Sequence, residues 1–143
     1  MSRTFWGWAG TTGNNGAAAL ADLDHDGTPE IIIGGSVLNA DGTVRWEGNA
    51  AGGFGFGAGY SGVADLDLDG SPEIVAARTA YRLDGSVYWQ NALVGEGLIG
   101  IGDFDDDPNP EIVLVSYAAG VYLLEHNGTV KWGPVAIPGG GNG

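Results

Sequence analysis

The sequence predicts an all-β fold made of three four-stranded repeats, and three observations predict it. A nine-residue acidic phrase occurs three times: DLDHDGTPE from Asp22 to Glu30, DLDLDGSPE from Asp65 to Glu73, and DFDDDPNPE from Asp103 to Glu111. Each copy is followed by an apolar run, at Ile31 to Ile33, Ile74 to Ala76 and Ile112 to Leu114. A turn dipeptide and a tryptophan then follow in register: Asp41-Gly42 with Trp46, Asp84-Gly85 with Trp89, and Asn127-Gly128 with Trp132. No window carries a sustained helical period.

Each repeat divides into four strands. The first precedes the acidic loop (Ala17 to Leu23, Gly59 to Leu66, Leu98 to Phe104) and is rich in small residues, as a crowded position requires. The second is the apolar run, which suits a strand covered on both faces. The third is Val37-Leu38, Tyr81 to Leu83, or Val121 to Leu124. Asp-Gly and Asn-Gly then predict two-residue hairpins, and the fourth strands are Thr43 to Trp46, Ser86 to Trp89 and Thr129 to Trp132. The anchoring aspartates are 43 and 38 residues apart, and the third copy carries a five-residue insertion that fits near Ser116 to Gly120.

Four-stranded units of about 40 residues have the size of a propeller blade. The blades run at approximately 16–48, 58–91 and 97–133, within one domain. One blade cannot bury both its faces, so neighbours must stack. The recurrent tryptophans are expected in that inter-blade packing. Trp8 lies 14 residues before Asp22, as Trp89 does before Asp103, so Arg3 to Trp8 is expected as an extra outer strand. Trp6 is the alternative for that place, and residues 134–143 are expected as a flexible tail, glycine-rich from Pro138 to Gly143.

Composition narrows the function. The 143-residue chain holds 18 acidic and 5 basic side chains, a net charge of −13, which excludes partners that need a cationic surface, such as nucleic acid or anionic membrane. The acids cluster: four lie in each of the first two phrases and five in the third, out of 18. There is no cysteine, so disulfides, thiolate metal sites and cysteine nucleophiles are absent. No run approaches the ~20 apolar residues of a membrane span, and no signal peptide is recognisable.

Carboxylates at positions 1, 3, 5 and 9 of a tight loop match the needs of calcium, which takes about 6–8 oxygens. The candidate ligands are Asp22, Asp24, Asp26, Thr28 and Glu30, then Asp65, Asp67, Asp69, Ser71 and Glu73. Asp103, Asp105, Asp107, Asn109 and Glu111 form the third set. Thr28, Ser71 and Asn109 offer backbone carbonyls, and Gly27 and Gly70 permit the sharp turn. Magnesium, which prefers a tight octahedron with several waters, fits less well. In the third copy Pro108 stands where the glycine should be, so a differently shaped site is expected there, with Asp106 facing solvent. The EF-hand is excluded, since position 12 is Ile33 or Ala76 and the flanks read as strands. Few basic residues stand near the loops to relieve the repulsion, which further favours a bound cation.

The strand–DxDxDGxxE–strand unit, in ADLDHDGTPEIIIG and ADLDLDGSPEIVAA, resembles the FG-GAP/VCBS-type repeats of integrin alpha-subunit propellers and bacterial surface proteins. The resemblance covers nearly all of Ala17 to Trp132 and extends to GFGFGAG from Gly53 to Gly59, although no Gly-Ala-Pro occurs. It implies calcium between the first and second strands of each blade, bound by the residues named above. It also implies an extracellular or cell-surface setting.

Closed propellers usually have about 4–8 blades, so three blades predict completion by self-association. A six-bladed dimer is favoured over rings of other sizes, a filament by strand exchange, or a piece of a longer array. No catalytic constellation is present. His25 lies inside a loop at an outward position, and His126 precedes a turn. The expected function is therefore a non-catalytic, calcium-binding, self-associating module. One alternative is a lectin-like glycan binder using Trp6, Trp8, Phe54, Phe56, Tyr60 or Tyr117. Another is an accessory fragment of a secreted polysaccharide-active enzyme.

Overall fold

A computed structural model describes residues 17–48, 60–116 and 120–138. The expected strand at Arg3 to Trp8, the aromatics Trp6, Trp8, Phe54, Phe56 and Tyr117, and residues 139–143 of the expected tail lie outside the described residues, while the tail's first two residues extend the last strand. The described chain forms three four-stranded antiparallel sheets, each a blade, with no helix among them.

The first blade is β1 (Ala19–Ala21), β2 (Glu30–Ile33), β3 (Ser36–Leu38) and β4 (Val44–Glu47). The second is β5 (Ser61–Ala64), β6 (Glu73–Ala76), β7 (Thr79–Tyr81) and β8 (Val87–Gln90). The third is β9 (Gly97–Gly102), β10 (Glu111–Ser116), β11 (Gly120–Leu124) and β12 (Val130–Val135). Strands pair in chain order within each sheet.

The first strands stop before the first aspartate, because the acidic loop already begins there. The last rungs are Ala21 opposite Glu30, Ala64 opposite Glu73 and Gly102 opposite Glu111. The first strands of successive blades lie side by side, β1 with β5 and β5 with β9. This crowding explains their small residues: a Cβ on Gly62 would stand 2.6 Å from the Ile99 side chain.

The five-residue insertion of the third repeat lies within the hairpin of β10 and β11. That hairpin gains the rungs Val115–Val121 and Ser116–Gly120, and its connection spans 117–119 where the first blade has Gly34 and Gly35.

The outer hairpins differ from the two-residue turns expected. Gly85 N–H donates to the Arg82 carbonyl (2.9 Å) and Arg82 N–H to the Ser86 carbonyl (2.9 Å), enclosing the three-residue loop Leu83-Asp84-Gly85. The same pattern encloses Ala40-Asp41-Gly42 and His126-Asn127-Gly128. Only the glycine takes positive φ, at +83°, +82° and +82°. This is a type I turn followed by a left-handed glycine, with the bulge that such a loop imposes on the strand register. Asp41 Oδ1 accepts both the N–H and the hydroxyl of Thr43, and these bonds hold its carboxyl below the usual carboxylate range.

The three-residue loop frees its first carbonyl for the preceding blade. Trp46 Nε1–H donates to the Leu83 carbonyl (2.9 Å), and Trp89 Nε1–H to the His126 carbonyl (2.8 Å). Each indole lies over the turn glycine of the next blade. A Cβ on Gly85 would stand 2.9 Å from the Trp46 ring, and one on Gly128 2.5 Å from Trp89. The tryptophans are therefore inter-blade locks. Around them, Leu23, Ile32 and Val37 of the first blade pack with Ile74 of the second. Leu66, Val75 and Ala80 of the second pack with Ile112, Leu114 and Leu124 of the third.

Trp89→Ala should destabilise the protein by about 3–5 kcal/mol, the usual cost of truncating a buried aromatic. Trp89→Phe, which loses chiefly the bond to His126, should cost about 1 kcal/mol. Urea unfolding midpoints separate the two.

Candidate metal centres

Each acidic phrase closes on itself through its glutamate. Glu30 Oε2 accepts the N–H of Leu23 (2.8 Å), Glu73 Oε2 that of Leu66 (2.9 Å), and Glu111 Oε2 that of Phe104 (2.7 Å). All three glutamates are buried. The position-9 carboxylate therefore spans the loop, and its second oxygen is left for other partners.

In the first two loops the position-1 aspartate folds the turn. Asp22 accepts the N–H groups of Asp26 (3.0 Å) and Gly27 (2.9 Å). Asp65 accepts those of Asp69 (3.0 Å) and Gly70 (2.9 Å). Position 4 takes left-handed backbone, at His25 (φ 60°) and Leu68 (φ 58°), and points outward. This geometry brings together Asp22, Asp24 and Glu30 in one group and Asp65, Asp67 and Glu73 in the next, their oxygens within 4.8 Å of one another. Asp26 and Asp69 instead accept the N–H groups of Thr28 (2.7 Å) and Ser71 (2.8 Å), and stay exposed beside each group.

The third loop is built differently because of Pro108. Position 6 supplies the N–H that binds the first aspartate, and proline has none. Asp103 accepts a 3.3 Å bond from Asp105 N–H and stays outside the carboxylate group. Asp105, Asp107 and Glu111 assemble with Glu125 instead. Asn109 turns its side chain away, donating through Nδ2 to the Leu66 carbonyl of the second blade (2.8 Å). Asp106 is exposed, as expected.

The expectation that basic residues leave these loops alone is corrected. One cationic side chain reaches each loop. Arg45 lies 2.9 Å from Asp24 and 3.2 Å from Glu30. Arg82 lies 3.1 Å from Asp67 and 3.4 Å from Glu73, with its guanidinium over the Tyr88 ring. Lys131 bridges Asp105 and Glu125. The contacts to Asp24, Asp67 and Asp105 are distant in sequence, so proximity in the chain could not show them. A signal was present: Arg45, Tyr88 and Lys131 each precede the lock tryptophan, while Asn39, Arg82 and Glu125 each stand three residues before the turn glycine. The cation comes from the first of these positions in blades one and three, and from the second in blade two.

In the second and third loops one side-chain cation leaves a buried oxygen without a partner. Glu111 is fully buried, and its Oε1 has no hydrogen-bond partner in the described structure. Asp67 Oδ1 is likewise buried without a partner. Burial pushes the Glu73 carboxyl above the ordinary glutamate range, against the opposing pull of the Leu66 N–H and with Asp67 adding repulsion. Lys131 holds Asp105 below its ordinary range, the side-chain hydrogen bond being the main cause. Buried carboxylate oxygens without donors are what a hard cation satisfies. The three clusters can therefore hold metal ions.

Glu125→Gln should weaken divalent-cation binding at the third loop by about tenfold or more, since affinity follows the ligand charge count. The first two loops should keep their affinity. Arg45→Gln should act the opposite way at the first loop, because it removes a competing cation from Asp24 and Glu30. Calorimetric titration of each variant with calcium reads both effects.

No protein family's sequence profile matches the chain. None of the curated proteins matches it either. Among solved structures, the crystal structure of the V. cholerae biofilm matrix protein Bap1 is similar, with a TM-score of 0.70 and 28% identity. The match covers 82% of this chain and 20% of Bap1, so the chain spans about a fifth of that protein's length.

Proposed function

We propose that this chain is a non-catalytic, calcium-stabilised structural module that associates with further copies of itself through its blades and works outside the cell. The observation that carries this reading is the buried, unpartnered carboxylate oxygen of Glu111, repeated in kind at Asp67. Oxygen-only clusters in β-loops suit calcium, and loops built on this plan are costly to keep folded with their charges uncompensated. The likeness to a biofilm matrix protein agrees with a structural role and an extracellular setting, where calcium is abundant. The resemblance to FG-GAP/VCBS-type repeats supports the same ion. No segment among the described residues is a helix long and apolar enough to cross a membrane.

The self-association part rests on blade number and on apolar exposure at the two ends of the array. A dimer closing six blades is the simplest assembly. Of the proposed sugar-binding aromatics, Tyr60 lies among the described residues, exposed immediately before β5.

Calcium bound only by the folded form should add about 3–4 kcal/mol per site at a few hundred-fold saturation. Chelation with EDTA should therefore lower the melting temperature and shift the assembly toward single chains. Native mass spectrometry with and without EDTA counts ions and chains together. An unchanged melting temperature and an unchanged mass would sink this reading.

A further inference from the structure

We infer that the trailing face of the third blade docks on the leading face of the first blade of a second copy, with Trp132 as the lock and the Ala40-Asp41-Gly42 turn as its socket. The inference rests on the self-association reading above and names its interface. Position 2 of the acidic phrase is Leu23, Leu66 and Phe104. Leu23 is 2% and Leu66 0% exposed, whereas Phe104 is 58% exposed. The lock tryptophans follow the same rule: Trp89 is 9% exposed under the turn of the third blade, and Trp132 is 45% exposed.

The opposite end of the array shows the complementary defect. Leu20 occupies the position of Val63 and Ile101, which pack against the blade before them. It is 67% exposed. Gly85 and Gly128 each carry the indole of the preceding blade, but among the described residues a Cβ on Gly42 would meet nothing within 4 Å. The Ala40 carbonyl holds the register of the Leu83 and His126 carbonyls that accept the two lock bonds.

One end thus presents an unused knob and the other an unused socket of the same pattern. The occupant that matches both is another copy of this chain, because its faces continue an interface the chain already makes twice within itself. In the docked pair, Trp132 Nε1–H donates to the Ala40 carbonyl of the second copy. The indole covers Gly42, and Phe104 packs against Leu20. The contact is head-to-tail, so it closes into a ring or runs on as a filament according to the rotation between blades.

Phe104→Asp and Leu20→Lys test the inference in calcium-containing buffer, read by sedimentation velocity and native mass spectrometry. Both positions are exposed, so both variants should keep the circular dichroism and melting behaviour of a single folded chain. Each alone should weaken association roughly thirtyfold or more, the effect of losing a central interface residue. Mixing the two should restore association in equimolar pairs. One contact in the mixture is native, and in a closed pair the other contact sets the introduced carboxylate against the introduced ammonium. Trp132→Ala should weaken association similarly while changing the stability of the single chain far less than Trp89→Ala. If wild-type protein assembles and neither charge variant disturbs it, this interface is wrong while self-association stands. A wild-type chain that stays single at high concentration with calcium overturns both, and points to the chain's own residues 1–16 as the cover of the first blade.

Discussion

The structure depends on a buried carboxylate gripping a backbone N–H. In each blade the glutamate that ends the acidic phrase accepts the amide of the residue after the first aspartate. That bond sets the last rung between the first and second strands and brings the loop's carboxylates together. It also creates the central electrostatic problem of the fold. A carboxylate removed from water needs compensation, which comes from backbone amides and one basic side chain per loop, while Asp67 and Glu111 each keep a buried oxygen without a partner.

The second dependence is mechanical. The outer hairpin is a three-residue loop, so its first carbonyl projects toward the preceding blade, and its glycine leaves a flat place for an indole. The tryptophan of one blade therefore reads the turn of the next through both a hydrogen bond and ring packing. A repeat protein needs such a junction because each unit is stable only against its neighbours. The same junction makes the ends of the array chemically distinct, one with an exposed Phe104 and Trp132, the other with a turn glycine that no described indole covers.

Much of the candidate site was legible in the sequence. The alternating carboxylates, the glutamate at position 9 and the outward position 4 all follow from the phrase itself, because these contacts span nine residues or fewer. The consequence of Pro108 was legible in kind, since proline cannot take positive φ. What escaped was the recruitment of Glu125, the loss of Asp103 from the group, and the place of Asp26 and Asp69 beside their groups and not within them. Arg45, Arg82 and Lys131 escaped for the same reason: strands three and four bring them back over the loop from 15 to 26 residues away.

The sequence by itself determined the repeat, the number of blades, the order of strands within each and the loops where carboxylates gather. All of these are local patterns of polarity, turn chemistry and spacing. The length of the outer turn does not follow from its Asp-Gly dipeptide, which serves both two- and three-residue loops. Only the tertiary structure decided between them: all three outer turns take the three-residue form, whether or not a described indole lies over them. It also decided which carboxylates converge in the third loop and which residues at the two ends stay uncovered. The first depends on the outer strands of the third blade folding back over its own loop, and the second on which side chains meet across blades.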